Sequence, residues 1–152
     1  MNIQQQRKKR IVRLLLGAIF AAIVAAALAA VYQGRGWSVP EEARQRKNPL
    51  AASEEGRKAA AAIYRDKCAN CHGERGRGDG AEGRMHWPAP RDFTDALRMN
   101  SMSDGELFYK ISRGRRPMPS FGKKLSEEQR WQLVLYIRGF AADAQGTPAP
   151  VK

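Results

Sequence analysis

Hydrophobic and polar residues divide this chain into two regions. Residues 14–32 contain no charged side chain, whereas the chain from residue 53 onward mixes apolar and charged positions at helical spacing. Nineteen residues in a helix span roughly 28 Å, close to the ~30 Å hydrocarbon core of a bilayer. The pattern therefore predicts an apolar helix over 14–33 that can cross a membrane, followed by an amphipathic helical region.

Three helices are predicted in the second region, each with a capping residue at its start. Ser53 precedes two acidic residues and an alanine-rich stretch, so a helix is expected to begin there. Ser103 with Glu106, and Ser126 with Gln129, have the spacing of a capping box at the start of two further helices. Because no strand pattern stands out, we expect an all-α fold.

The remaining segments lack helical periodicity. Glycine is frequent over 73–83 and proline over 86–93, so both stretches are expected to be loops. The chain is thus predicted to consist of a basic N-terminus (1–13), a membrane anchor (14–33), a linker rich in Gly, Pro and charge (34–52), a helical domain (53–142) and a flexible tail (143–152).

Charge indicates the direction in which the apolar helix crosses a membrane. Five basic residues lie before it, whereas Glu41 and Glu42 follow soon after it. By the positive-inside rule, the N-terminus is expected in the cytoplasm and everything after Tyr32 outside it. The alternative is a cleaved signal peptide, since Ala27-Leu28-Ala29 matches the small-x-small cleavage pattern. The length of the apolar run favours a retained, single-pass anchor.

The whole chain is strongly basic. It contains 27 Lys and Arg against 15 Asp and Glu, a formal net charge of +12. Such a charge favours acidic proteins, anionic lipid or nucleic acid as partners without choosing among them. No nucleic-acid-binding motif and no alternation of aromatic and basic residues is present, so nucleic acid is not expected as a partner.

The residues with distinctive chemistry cluster in one motif. Cys68, Cys71 and His72 form C-x-x-C-H, the attachment pattern of c-type haem. Two thiols at this spacing can each add to one vinyl group of the same porphyrin, and the adjacent imidazole can bind its iron. The motif predicts one covalent haem c, bound by both cysteines and by His72, with His72 as an iron ligand.

Three other uses of paired cysteines fit this motif less well. A thioredoxin-like redox pair belongs near a βαβ pattern, which the flanking sequence lacks. A zinc site would need more ligands than two cysteines and two histidines comfortably supply at these positions. A simple disulfide is allowed outside the cytoplasm, but it leaves His72 unexplained.

A second axial ligand is expected if the iron transfers electrons. Met118 lies between Pro117 and Pro119, which restrict the backbone on both sides of its thioether. The other candidates are Met85, His86, Met99 and Met102. The histidine follows the motif too closely to cross the haem plane easily, and the last two methionines precede a helix, where packing is their commoner role. Met118 is therefore predicted to bind the haem and to be its second metal ligand.

From about residue 48 to 140, the sequence resembles a single-haem class I cytochrome c of the bacterial, membrane-attached kind. The resemblance rests on Tyr64 before C-A-N-C-H-G, Gly-Asp-Gly at 78–80, M-P-S-F at 118–121 and W-x-x-x-x-Y-I at 131–137. It implies the class I cytochrome c fold around one haem, here preceded by a transmembrane helix.

The resemblance also implies details of the fold. The first and last helices of the domain would cross near Ala60, Tyr64, Leu133 and Tyr136. A proline carbonyl, of Pro88 or Pro90, would accept a hydrogen bond from the imidazole that binds iron.

The expected function is one-electron transfer without catalysis, because Met118 would occupy the position that a substrate needs. The resemblance implies a carrier on the periplasmic side of a bacterial cytoplasmic membrane, tethered or built into a complex, between a quinol-oxidising donor and an oxidase or photosynthetic reaction centre. The alternative is a haem enzyme or gas sensor from which Met118 can be displaced. Redox partners with acidic docking surfaces are expected because Met118 is flanked by basic residues: Arg113, Arg115, Arg116, Lys123 and Lys124.

Overall fold

The computed structural model describes residues 3–33 and 36–146. The chain divides into two units, Met1–Ser38 and Val39–Lys152. The expected flexible tail lies outside the described residues from position 147 onward, and the preceding helix continues to Ala144.

The first unit contains one long helix, α1 (Ile3–Gln33). Its window Lys9–Leu28 has 20 residues and a mean hydropathy of 2.5, which is long and apolar enough to cross a membrane. Those side chains of α1 that the structure describes are exposed, with Leu14 at 73%. The helix begins before the apolar run because Lys, Arg and Gln also favour helix. A signal sequence has the same features, so retention of this helix stays a prediction.

The second unit is helical, as predicted, and the described residues contain no strand. Its elements are α2 (Glu41–Gln45), α3 (Glu54–Lys67), α4 (Ala69–His72), a 3₁₀ turn (Gly83–Met85), α5 (Ala96–Asn100), α6 (Asp104–Arg113) and α7 (Glu127–Ala144).

The three predicted helix starts are present as α3, α6 and α7. Ser53, Ser103 and Ser126 each accept a hydrogen bond from the backbone N–H three residues later. At α7 the capping box is complete, because the Gln129 side chain also accepts from the Ser126 N–H at 2.9 Å. These local signals are satisfied within four residues, which explains why the sequence alone reveals them.

The capping box expected at α6 is only half formed. The Glu106 carboxylate accepts a hydrogen bond from Lys110 Nζ at 2.6 Å and lies 3.8 Å from Arg44 on α2. Glu106 is 8% exposed, so two cations are stronger partners for its carboxylate than the N–H of Ser103. The Ser103 hydroxyl in turn donates to the Arg44 carbonyl at 2.6 Å.

Helices α3 and α7 pack together at the centre of the domain. The Tyr64 ring of α3 lies 5.3 Å from the Tyr136 ring of α7, and Ala60 and Leu133 are buried, which agrees with the expected helix crossing. Helix α6 packs on α7 and completes the core. Its main apolar side chains are Tyr64, Met99, Leu107, Phe108, Ile111, Phe121, Trp131, Val134 and Ile137.

A linker is expected over 34–52, whereas the second unit of the structure begins at Val39, so residues 39–52 lie in the same unit as the helical domain. Helix α2 packs on α6 so closely that a Cβ on Gly105 would lie 2.0 Å from the Ala43 carbonyl oxygen. Further along, Asn48 Nδ2 donates to the Trp131 carbonyl at 3.1 Å. Val39 is also buried and Leu50 packs against the core, but these apolar side chains are too far apart to form a periodic stripe.

Arg138 of α7 bonds to helix α5 and to its connection to α6, beside the core contact made by the buried Met99. Its guanidinium bonds to the Asp104 carboxylate at 2.9 Å and to the Met102 carbonyl at 2.6 Å, and it also donates to the Met99 carbonyl. Sequence analysis missed α5, a helix of five residues capped by Asp95.

Candidate haem-binding site

The two cysteines and His72 lie on one helical turn that follows α3. Helix α3 ends at Lys67, Cys68 forms the junction, and α4 carries Cys71 and His72. The backbone N–H groups of Cys71 and His72 both donate to the Cys68 carbonyl, at 3.2 and 2.8 Å. Both thiols are free and half-buried. The C-x-x-C-H residues are therefore grouped on one short piece of backbone.

The glycine-rich loop is bonded to this turn through its backbone. The Gly78 N–H donates to the His72 carbonyl at 2.8 Å, and the Gly80 N–H donates to the Cys71 carbonyl at 3.2 Å. At Gly83 a Cβ would lie only 2.2 Å from the Cys71 carbonyl oxygen, so any other residue would push the loop away. The loop thus supports the backbone of Cys71 and of His72.

The His72 imidazole is oriented by a backbone carbonyl. Its Nδ1 lies 3.2 Å from the Arg91 oxygen, and because a carbonyl only accepts, Nδ1 carries the hydrogen. Burial lowers the pKa of His72, against the opposing effect of this hydrogen bond, and favours the neutral ring. Neutral imidazole protonated at Nδ1 has its lone pair on Nε2, the form that binds a metal.

The expectation that Pro88 or Pro90 supplies this carbonyl is wrong. The acceptor belongs to Arg91, one residue beyond Pro90. The Pro90 carbonyl oxygen lies instead beside Gly78, 2.6 Å from where a Cβ on that glycine would be. The Gly78 backbone thus adjoins the proline carbonyl, while the next carbonyl along the chain reaches the imidazole.

Both thiols are held in their protonated form. Burial raises the pKa of Cys68 to about 11, and the neighbouring Cys71 and Asp66 act in the same direction. Burial also raises the pKa of Cys71, helped by Glu82, whose carboxylate lies 3.7 Å from the Cys71 sulfur. Among the described residues, no group of three or more His, Cys, Asp and Glu side chains is placed to hold a metal ion.

This donor set fits haem c. Two unpaired thiols and an imidazole with Nε2 unprotonated are what covalent attachment and iron ligation require. Tyr64 supports the arrangement from α3, because its hydroxyl donates to the Gly73 carbonyl at 2.8 Å directly after the motif. Burial raises the pKa of Tyr64, so this hydroxyl keeps its proton.

Met118 lies in the loop 114–120, between α6 and α7. It is half-buried and packs against the same core as Cys68, and its N–H donates to the Arg115 carbonyl at 2.8 Å. The loop is tied back to α6, because the Phe121 N–H donates to the Ile111 carbonyl at 3.1 Å. Two separate segments therefore bring Cys68 and Met118 to one apolar core.

The other candidate ligands have different surroundings. Met99 is fully buried, and the Met102 sulfur accepts a hydrogen bond from Lys110 Nζ at 3.3 Å. Met85 is 76% exposed on the 3₁₀ turn, and His86 follows it, half-buried. Met99 thus lies in the core and Met102 packs against it, and Met118 remains the predicted ligand.

Sequence analysis missed the aromatic residue that contacts the imidazole. The Phe93 ring stacks on His72, with ring centroids 4.5 Å apart and an angle of 16° between the planes. Phe93 lies in the proline-containing loop, where no periodic pattern marks a buried side chain. Because Phe93 and His72 are distant in sequence, only the folded structure reveals that their rings are in contact.

A family model described as "Cytochrome C oxidase, cbb3-type, subunit III" matches residues 56–137, more than half of the chain. The chain belongs to this cytochrome c family. Its domain is a c-type cytochrome domain, and transfer of electrons by a c-type haem is the activity that the family implies. A comparison with curated proteins gave no match.

Two solved structures are similar to this cytochrome domain. One is a chain of the "Kuenenia stuttgartiensis reducing HAO-like protein complex Kustc0457/Kustc0458", at 32% identity and a TM-score of 0.51, covering 60% of this chain. This cytochrome spans less than half of that chain's length, 46%. The other is the "KustC0563 c-type cytochrome", at 32% identity and a TM-score of 0.46, covering 53% of this chain and 95% of that one.

Proposed function

We propose that this chain is a one-electron carrier whose single haem c is attached through Cys68 and Cys71, with iron bound by His72 and Met118. The observation that carries the proposal is the hydrogen bond from His72 Nδ1 to the Arg91 carbonyl, which leaves Nε2 as the donor atom. When bound, haem c supplies an iron that gains and loses one electron reversibly.

The residues of the chain have distinct parts in this function. The Arg91 carbonyl fixes the tautomer of His72 and increases its strength as a ligand. The backbone bonds of the loop 114–120 restrict the position of Met118, whose thioether favours the reduced state. As a ligand, Met118 would also exclude water and substrate from the iron.

We infer that the carrier acts on the periplasmic side of a bacterial membrane. The apolar helix α1, preceded by basic residues, supports an anchor with its N-terminus in the cytoplasm. The family description supports a place in an oxidase complex, and the similarity to a chain of a redox complex is consistent with a subunit. On this proposal the chain relays electrons from a quinol-oxidising donor to an oxidase or a photosynthetic reaction centre.

Basic side chains near Met118 support acidic partners. The exposed residues are Arg113, Arg115, Arg116, Lys123 and Lys124. No acidic residue intervenes along 113–124, so this stretch carries positive charge throughout. Complementary charge increases the rate of encounter more than the affinity.

The ligation is tested with Met118→Ala in the full-length, haem-loaded protein in detergent. The thioether-to-ferric-iron absorption band should disappear, and the reduced variant should bind carbon monoxide that the parent binds poorly. Met85→Ala is the matched control, because Met85 is exposed, and it should keep the band. Persistence of the band in Met118→Ala would refute the ligand assignment. Ready carbon monoxide binding by the reduced parent would instead favour a haem enzyme or gas sensor.

A further inference from the structure

We propose that Phe93 is a positioning residue that sets the orientation of the His72 imidazole about its bond to iron. The proposal rests on His72 being an iron ligand, as proposed above. The two rings lie face to face, with centroids 4.5 Å apart and planes at 16°, and Phe93 is 8% exposed. Rotation of the imidazole would drive its edge into the buried phenyl ring, which has little room to yield.

The carbonyl of Arg91 alone does not fix this orientation. It accepts one hydrogen bond, at 3.2 Å from Nδ1, and turning the ring about its Nε2 direction only bends this bond, which hydrogen bonds tolerate until the angle falls toward about 120°. The contact between the faces of the two rings opposes that remaining motion. The Arg91 carbonyl thus contacts the edge of the imidazole and the Phe93 ring contacts its face, and both residues lie in one short segment.

Phe93 is itself anchored at two points away from the haem motif. Its backbone N–H donates to the Gly76 carbonyl at 2.6 Å. Its ring is nearly parallel to that of Phe140 on α7, with an angle of 13° and 6.4 Å between centroids, and Phe140 contacts Tyr64 at 5.2 Å. The plane of the imidazole is therefore set by packing between α7, the glycine-rich loop and Phe93, rather than by the C-x-x-C-H turn alone.

Ligand orientation has a measurable magnetic consequence. In low-spin ferric haem, the orientation of the imidazole plane affects the principal g values and the spread of the haem methyl proton shifts. Contacts to a ligand that do not touch the metal can tune a site in this way. A residue that merely fills the core would change stability without changing these spectra.

The test compares three variants of the oxidised, haem-loaded full chain by low-temperature EPR and proton NMR. Phe93→Met keeps apolar volume but removes the flat ring, and Phe93→Tyr keeps the ring. Phe108→Met is the matched control, because Phe108 is also buried, at 4%, but stacks on Trp131 at 4.0 Å. We expect shifted or broadened g values and a changed methyl shift pattern in Phe93→Met, and parent-like spectra in the other two.

Each outcome decides the proposal. Spectra of Phe93→Met that superimpose on those of the parent would overturn it, as would equal changes in Phe108→Met. If Phe93→Met does not take up haem, Phe93→Leu takes its place, because leucine also lacks the flat ring, and the same expected and refuting spectra apply. If the EPR spectrum of the parent shows no low-spin ferric signal typical of imidazole ligation, the proposed ligation itself is overturned, and this inference with it.

Discussion

Gly114 controls the loop that carries Met118, and its substitution by alanine tests that role. The residue ends α6 with φ 61° and ψ 165°, a region that essentially only glycine adopts. A Cβ there would lie 2.4 Å from the Pro119 carbonyl carbon and 2.5 Å from the Ser120 nitrogen. Both contacts are to backbone atoms, which cannot turn aside as the end of a side chain can.

The magnitude follows from these two effects. The backbone conformation costs a non-glycine residue about 1–3 kcal/mol. Overpacking against the neighbouring backbone adds about 1–3 kcal/mol. Gly114→Ala should thus lower the free energy of unfolding by about 2–6 kcal/mol, unless the loop detaches locally and relieves the strain. Local detachment would break the bonds from Phe121 and Gly122 to α6 and displace Met118.

The assay separates global from local effects. Guanidinium unfolding of the full chain in detergent, followed by circular dichroism, measures stability, and the thioether-to-iron band measures ligation. Gly139→Ala is the control, because Gly139 is inside α7 with open space around a Cβ, and it should raise stability by about 0.5–1 kcal/mol. If Gly114→Ala matched the parent in both unfolding midpoint and band, the argument from its backbone would be refuted.

Three further predictions concern helix capping, the motif and the basic surface. Ser126→Ala removes the bond from the Gln129 N–H to the Ser126 hydroxyl but keeps the backbone N–H that donates to the Gln129 side chain, so it should cost about 1 kcal/mol in the same unfolding assay, whereas an unchanged midpoint would contradict the importance of the cap. Tyr64→Phe removes only the hydroxyl bond to Gly73, so a loss of about 1 kcal/mol is expected, and no measurable loss would count against that bond. Oxidation by ferricyanide should slow as ionic strength rises from about 0.01 to 0.1 M, while oxidation by a cationic cobalt complex should not; equal responses would exclude electrostatic steering.

Local features of the chain made much of the site predictable. The spacing of Cys68, Cys71 and His72 needs only one helical turn to bring them together, so the motif is visible without a fold. The capping serines are similarly local, since their partners lie three residues away. The apolar run of α1 is recognised by composition and length alone.

Contacts between residues distant in sequence explain where the structure differs from the sequence-based expectations. Glu106 has the spacing of a capping box, but Lys110 and Arg44 bind its carboxylate, and only the packing of α2 on α6 brings Arg44 near. The segment from residue 39 looked like a linker because its inward-packed apolar residues, Val39 and Leu50, are too far apart to form a periodic pattern, and many of its other contacts are made by backbone and polar atoms. Short helices such as α5 depend on tertiary partners, since five residues are too few to be stable alone.

The amino-acid sequence by itself determined the chemistry of this protein: two thiols and an imidazole at haem-attachment spacing, three capped helices, and an apolar segment of membrane length. Only the tertiary structure decided how the imidazole is held, with the Arg91 carbonyl in place of a proline carbonyl and with Phe93 against its face. The physical reason is the distance along the chain between the residues that interact. Spacing and capping act within one or two turns of backbone, whereas hydrogen bonds and ring contacts to His72 come from a loop about twenty residues away, whose path is set by packing against α7 and the glycine-rich loop.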